Sequence, residues 1–486
     1  IYLLYKLRNK IHTTNINIVN NKHIFKWNTE RFGSTECIKA EKQVTIMSVF
    51  QKFMQTSDKQ IKDNNTEPCE EVEDGQPHNP YTEILILQHH SDIVRLLLRI
   101  SDRRFVSAGD DKKAVIWEVQ YGRRIATLIG HTLPITSLLL LRPVEENEEA
   151  LIVTGSSDKQ IRIWNSETGK CLYVLIEHGA SVRCLHLLNP GLFCAAGENL
   201  SLWNRNGEHL HTVQNCAIED IHSMISIQNE RIVAAADKEL VSYELSQSGD
   251  SSYKLAKVKQ MQYHSEAIHS LVLISASTFA SGSVDGMIII WTTSNLQPIK
   301  RLNPVSTSEG DNKRFPNSVQ ALMCVQERYL LAAIGCGFYA FDVSNDKEIL
   351  VLQKKTAHLS KITCIGFACE GELLATCSED KCLRLWGQKQ TAGEWKDMVV
   401  TTMEKFSGLQ SNELLQLSAS SPWEPSLLGE CCAHGGSVQG FLDFDHEGIV
   451  TCGSDGLVII WKNSEMQKVR RNQAVRKLLL NCDGIV

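Results

Sequence analysis

The sequence predicts an all-β chain closed into a ring, a β-propeller of eight four-stranded blades, and three observations carry that expectation. First, an Asp stands six positions before a Trp at Asp111 and Trp117, Asp158 and Trp164, Asp285 and Trp291, Asp380 and Trp386, and Asp455 and Trp461. A step that recurs five times at intervals of tens of residues marks a repeat rather than a single-core domain. Second, a His leads each of these units, at His90, His131, His264, His358 and His434. Third, the runs between His and Trp are rich in Val, Ile and Leu, as expected of strands buried between stacked sheets. A small twisted sheet of this kind cannot bury both faces alone, so it draws its stability from its neighbours in the ring.

Taken in order, residues 1–78 are expected to be a leader outside the fold. Residues 1–46 are rich in Asn, Lys and Thr without sustained periodicity, and the first Met is Met47. They read as sequence upstream of a natural start near Met47, the alternative being a disordered extension. From Ser57 to His78 the chain is polar and acidic, a solvated stretch. The propeller is placed at 79–463. Tyr81 to Leu87 forms an apolar strand ahead of the first His-led unit, and pairing it into the last blade would close the ring and remove two exposed edges.

Blade one spans His89 to Trp117 and blade two Gly130 to Trp164. Blade three, His178 to Trp203, lacks the Asp. Blade four is degenerate, with Tyr243 in the Trp place six residues after Asp237. Blade five runs from His264 to Trp291. Blade six has Phe341 in the Trp place and no leading His. Blade seven runs from His358 to Trp386 and blade eight from His434 to Trp461. A seven-blade ring is the alternative if blade four or six is misread.

Two stretches depart from the repeat. The interval between Trp386 and His434 is about twice the usual spacing, and Ser426 to Cys432 is expected to supply the outer strand of blade seven. The rest, 388–425, is an insertion carrying Trp395, Met398, Phe406, Leu409 and Trp423. Long loops in compact folds are often functional, and this apolar content suggests a peptide-like ligand for another protein or a flap folded back on the ring. The tail, 464–486, sets Arg470 and Arg471 beside Val475 and Leu478 at loosely helical spacing. A short helix packed on the ring edge or on a partner is the preferred reading, and contact with an anionic membrane the alternative.

Bulk composition narrows the function. The 486 residues carry a formal charge of −6 and no Lys/Arg stripe, which argues against nucleic acid as a partner. The 16 cysteines include no CxxC pair, so neither a metal nor a cofactor is expected, and reduced cytoplasmic thiols are the simpler reading. The adjacent Cys431 and Cys432 are poorly placed for a bridge to each other. No stretch approaches the roughly 18 apolar residues of a membrane-spanning helix.

The His, Asp and Trp of each unit, with a hydroxyl such as Thr154 or Ser156, resemble the WD40 repeat and its hydrogen-bonded tetrad. A His–Asp pair near a Trp also resembles a catalytic dyad, but recurrence in several repeats favours a structural role. The second residue of the WD dipeptide is degenerate here, being Glu118, Asn165, Asn204, Thr292, Gly387 or Lys462. More specifically, NPYTE (79–83), DIVR (92–95), SAGDD (107–111), KTAH (355–358), CSED (377–380) and TCGSDGLVIIWKN (451–463) resemble the WD repeat-containing protein 41 family. That resemblance covers Asn79 to about Asn463.

It implies a non-enzymatic scaffold subunit of a complex with two DENN-domain proteins. Such a complex regulates autophagy and small GTPases, and the propeller helps recruit it from the cytoplasm to lysosomes. A lysosomal membrane protein is then a further expected partner, through the 388–425 insertion. The rival reading, a substrate receptor of a cullin-type ubiquitin ligase, usually comes with Trp-Asp-x-Arg, and no Trp here precedes an Asp. An enzyme in the ring channel would need convergent groups unique to one blade.

Overall fold

Apolar runs of five to eleven residues, punctuated by tight turns, favour the antiparallel meander in these segments. The computed structural model describes residues 81–144, 148–217, 219–227, 231–248, 252–303, 317–344, 349–369, 371, 373–387 and 422–463. The leader, the tail helix and nearly all of the insertion expected from the sequence lie outside these residues.

The described residues form eight four-stranded antiparallel sheets. Blade 1 comprises Val94–Ser101, Arg104–Gly109, Lys113–Glu118 and Arg123–Ile129, labelled strands a to d. Blades 2 to 6 repeat this order, from Ile135–Leu141 in blade 2 to Ile349–Lys354 in blade 6. Blades 4 and 6, degenerate in sequence, are complete sheets. In blade 7, Ile362–Ala368, Leu373–Ser378 and Leu383–Gly387 are joined by Ser426–Cys431 as strand d, from beyond the insertion.

Blade 8 is made from both ends of the described chain. Val438–Asp443, Ile449–Gly453 and Leu457–Asn463 supply strands a to c, and Tyr81–Gln88 supplies strand d. Ile84 lies opposite Trp461 and Gln88 opposite Leu457 in that ladder. Tyr81 adds a hydrogen bond between its hydroxyl and Cys369 Sγ at 2.8 Å. Each strand a approaches the strand a of both neighbours all the way round, so the a strands form the inner wall.

The core is correspondingly divided into layers between blades. One cluster joins blades 1 and 2 through Ala108, Ile116, Ile152 and Trp164. Another joins blades 6 and 7 through Phe338, Leu352, Trp386 and Leu427. Blades 8 and 1 meet through Leu87, Phe105, Trp117 and Ile460, so the closing strand is packed as well as paired. No helix among the described residues is long and apolar enough to cross a membrane.

Candidate functional site

The polar groups that could suggest chemistry sit at the turn between strands b and c. In blade 2, His131 Nδ1 is 2.9 Å from Asp158 and Nε2 is 2.7 Å from Thr154 Oγ1, which accepts the Trp164 indole N–H at 2.9 Å. Blade 1 repeats the set with His90, Asp111, Ser107 and Trp117. Blade 7 does so with His358, Asp380, Thr376 and Trp386. Blade 8 uses His434, Asp455, Thr451 and Trp461. Of the two hydroxyls that the sequence offered in blade 2, Thr154 is the one used, while Ser156 bonds to the Leu133 carbonyl. The hydroxyl stands ten residues before the Trp each time.

The Asp does two jobs. One carboxylate oxygen accepts the backbone N–H two residues on, at Lys113, Gln160, Met287, Cys382 or Leu457. That turn holds the intervening residue at positive φ, Lys112 at 68°, Lys159 at 70°, Gly286 at 85°, Lys381 at 77° and Gly456 at 74°. The other oxygen faces the His where that bond is made. Burial alone would raise the Asp380 pKa, but the hydrogen bond from His358 and the N–H of Leu359 bring it below the usual carboxylate range. Burial lowers the pKa of His131 and His358 against the pull of Asp158 and Asp380.

Asp–His–hydroxyl is the connectivity of a nucleophilic triad, yet it cannot serve as one here. Ser107, Thr154, Thr376 and Thr451 are fully buried, and each hydroxyl is occupied by the Trp N–H and the imidazole. A nucleophile must reach its substrate, and these hydroxyls are sealed between blades. The sets tie strands b and c to the loop that enters the blade.

Blade 5 departs from the pattern. His264 Nε2 meets Ser281 at 2.7 Å and Trp291 donates to Ser281 at 2.8 Å, but His264 Nδ1 is buried without a hydrogen-bond partner. Asp285 is held instead by Ser265 and by the Met287 N–H. In blade 3 the hydroxyl is Ser201, two residues before Trp203 rather than ten, and it meets His178 Nδ1 at 2.7 Å. Blade 4 sends the Tyr243 hydroxyl to the Cys216 carbonyl, 2.7 Å away. In blade 6, Phe341 is buried with no polar role, and Arg328 pairs with the buried Asp342 at 2.7 Å.

Two surfaces stand out as interaction candidates. The ladder between strands a and b breaks register at Arg95, Thr136, His222, His269, Gln320, Thr363 and Gln439, in seven of the eight blades. Bulges re-aim a side chain, and these fall at one end of the inner wall. Thr136 and Thr363 bond to the carbonyls of Val182 and Val438 in the next blade, and Arg95 pairs with Asp110. His222 and His269 remain exposed. The second surface is strand d of blade 2, Cys171–Leu175, where Leu172, Tyr173 and Val174 are more than two-fifths exposed beside Ile176. The sequence reading missed both, because neither a bulge nor an outer-strand position has a signature in residue type.

Of the partner-binding candidates, Trp395, Met398, Phe406, Leu409, Arg470, Arg471, Val475 and Leu478 lie outside the described residues. Trp423 is described, and it is half-buried against the ring. Its N–H donates to Val351 at 2.9 Å and its carbonyl accepts from Gln353 at 3.0 Å, a parallel bridge along strand d of blade 6. It packs with Leu352, Trp386 and Leu427. Trp423 therefore anchors the described end of the insertion to the edge of blade 6.

Among the described residues, one group of side chains has the make-up of metal ligands, Cys382, Glu430 and Cys432. Cys382 lies about fifty positions before the other two, which hides the group from any spacing pattern.

A family model described as WDR41, a β-propeller, matches residues 50–471. Human WD repeat-containing protein 41 is 30% identical over 439 residues, covering 86% of this chain and 95% of the relative. The mouse protein of the same name is 30% identical over 435 residues, covering 85% and 94%. Among solved structures, the crystal structure of the computationally designed Ika8 protein superposes with a TM-score of 0.55 at 18% identity, covering 78% of this chain and 98% of the designed one. That last likeness concerns the fold alone.

Proposed function

Because the chain belongs to the WDR41 family of β-propellers, a WD-repeat scaffold or adaptor, we propose that it is the non-enzymatic subunit of a complex with two DENN-domain proteins that regulates autophagy and small GTPases. In this reading the propeller brings the complex from the cytoplasm to the lysosome surface. Any GTPase-directed chemistry belongs to the DENN partners. The observation that carries the reading is the length of the family match, residues 50–471, which takes in the insertion and the stretches on both sides of the ring. The buried, fully engaged His–hydroxyl sets support the non-catalytic part.

The insertion is proposed as the hook for a lysosomal membrane protein. The exposed apolar strand of blade 2 and the bulge ring are further surfaces on which a scaffold can seat partners. The test is affinity capture from cells with mass spectrometry, comparing the intact chain with one lacking 388–421, which spares the Trp423 anchor. The expected result is a DENN-domain pair with both chains and a lysosomal membrane protein with the intact chain alone. Recovery of a cullin adaptor with no DENN protein would overturn the proposal in favour of a ligase receptor.

A further inference from the structure

Strands c and d of blade 7 set four functional side chains in a square. Arg384 lies opposite Glu430 and Leu383 opposite Cys431 in the ladder. One step further along, Cys382 comes opposite Cys432. Alternation places Cys382 with Arg384 on one strand and Glu430 with Cys432 on the other, all on one face of the sheet. This is the face turned to blade 6, since Trp386 shares it and packs on Phe338, and Arg384 Nη1 donates to the Ala357 carbonyl at 2.7 Å. The same alternation separates the adjacent cysteines: Cys431 enters the core with blade 8, while Cys432 turns to the square.

The sulfurs of Cys382 and Cys432 and a carboxylate oxygen of Glu430 all lie within 4.8 Å of one another, and both cysteines are free thiols. All three residues are half-buried, so the group is reachable from solvent. We propose that Cys382, Cys432 and Glu430 form a binding site for a thiophilic divalent cation of the zinc class, with water as the fourth ligand.

Four physical points support it. Two sulfurs and a carboxylate oxygen suit zinc and its neighbours rather than magnesium or calcium, which take oxygen alone. Tetrahedral ligands at zinc distances stand about 3.5–3.8 Å apart, so closing on the ion needs only small movements from the observed spacing. The charges also balance: two thiolates and one carboxylate carry three negative charges, Arg384 returns one, and a divalent cation neutralises the rest. Finally, the carboxylate is already oriented, since Arg384 donates from Nε at 2.8 Å and from Nη2 at 2.7 Å to Glu430 Oε1, the outer-shell support that metal ligands need.

The test titrates the reduced full chain with Co²⁺ under anaerobic conditions and watches for thiolate-to-cobalt charge transfer. One equivalent is expected to produce the band, Zn²⁺ to displace it, and C382S and C432S each to abolish it. Charge removal by E430Q is expected to weaken binding, and so is R384K by about 10- to 100-fold, through loss of the outer-shell fork. A second readout needs no variant: Zn²⁺ should protect Cys382 and Cys432 of the wild-type chain from alkylation while the exposed Cys171 reacts at its usual rate. Absence of a charge-transfer band in the folded chain, a band that survives C382S or C432S, or equal alkylation with and without Zn²⁺ would each overturn the proposal.

Discussion

His264 and Asp285 occupy the positions at which His131 and Asp158 are bonded, yet His264 Nδ1 faces no partner and Asp285 turns to Ser265. The two blades thus form a natural control pair for the His–Asp bond. D158A removes a turn cap and also leaves the His131 Nδ1–H buried and unpaired, whereas D285A removes the cap and the bonds from the exposed Ser265 without unpairing a buried group. D158A is expected to cost about 1–3 kcal/mol more than D285A, read as the difference in urea midpoint at constant m. Equal losses would mean that the bond to His131 adds nothing beyond the turn.

His178 and His264 predict the acid limb of stability. Burial lowers both to a pKa of about 4 from the ordinary 6.5. The unfolded chain therefore takes up these protons first, and stability falls as pH drops from about 6.5 towards 4, then levels off. Each residue can account for at most about 3 kcal/mol across that window. Chemical denaturation at pH 7, 6 and 5 is expected to show the slope, and H264Q to flatten it only in part, because burial also lowers His131, His358 and His186. A wild-type midpoint independent of pH over this range would contradict the assignment.

The Trp423 bridge predicts a local effect. W423A should expose the outer edge of blade 6 and cost about 2 kcal/mol, near half the loss for a fully buried Trp. The amide of Gln353, which donates to the Trp423 carbonyl, should lose its protection from hydrogen exchange. Amides on strand b of blade 2 should keep theirs, and a uniform change across the ring would argue against a local anchor.

Removing 81–88 should open blade 8 along the Leu457–Asn463 edge and uncover Trp461. Loss of a single cooperative thermal transition is the expected outcome. A synthetic peptide of those eight residues, added in trans, should restore it, and a truncated chain that melts like the intact one would refute the role given to the strand.

Much of this architecture could be read from residues alone. The Asp-to-Trp step located five blades because a tight turn and a buried indole impose fixed spacing, and strand length recovered blades 4 and 6 although Tyr243 and Phe341 replace the Trp. Other features depend on tertiary placement. Ser201 takes over the hydroxyl role from a different strand, Trp423 returns to blade 6 rather than blade 7, and Cys382 meets Cys432 only through the register of two strands. Each is a contact between residues far apart in sequence, made by the closed ring and marked by no local pattern.

Ring closure also sets an order in time. Tyr81–Gln88 is among the first described segments to leave the ribosome, and its partner Leu457–Asn463 is the last. At ordinary synthesis rates of about 5–20 residues per second the wait is about 20–75 s. Throughout it the apolar edge of Ile84 and Ile86 has no ladder to join. A nascent chain of this protein is therefore obliged to carry an unpaired β edge until Leu457–Asn463 has emerged, which makes it a natural client for ribosome-associated chaperones and leaves chains truncated before that strand prone to aggregate.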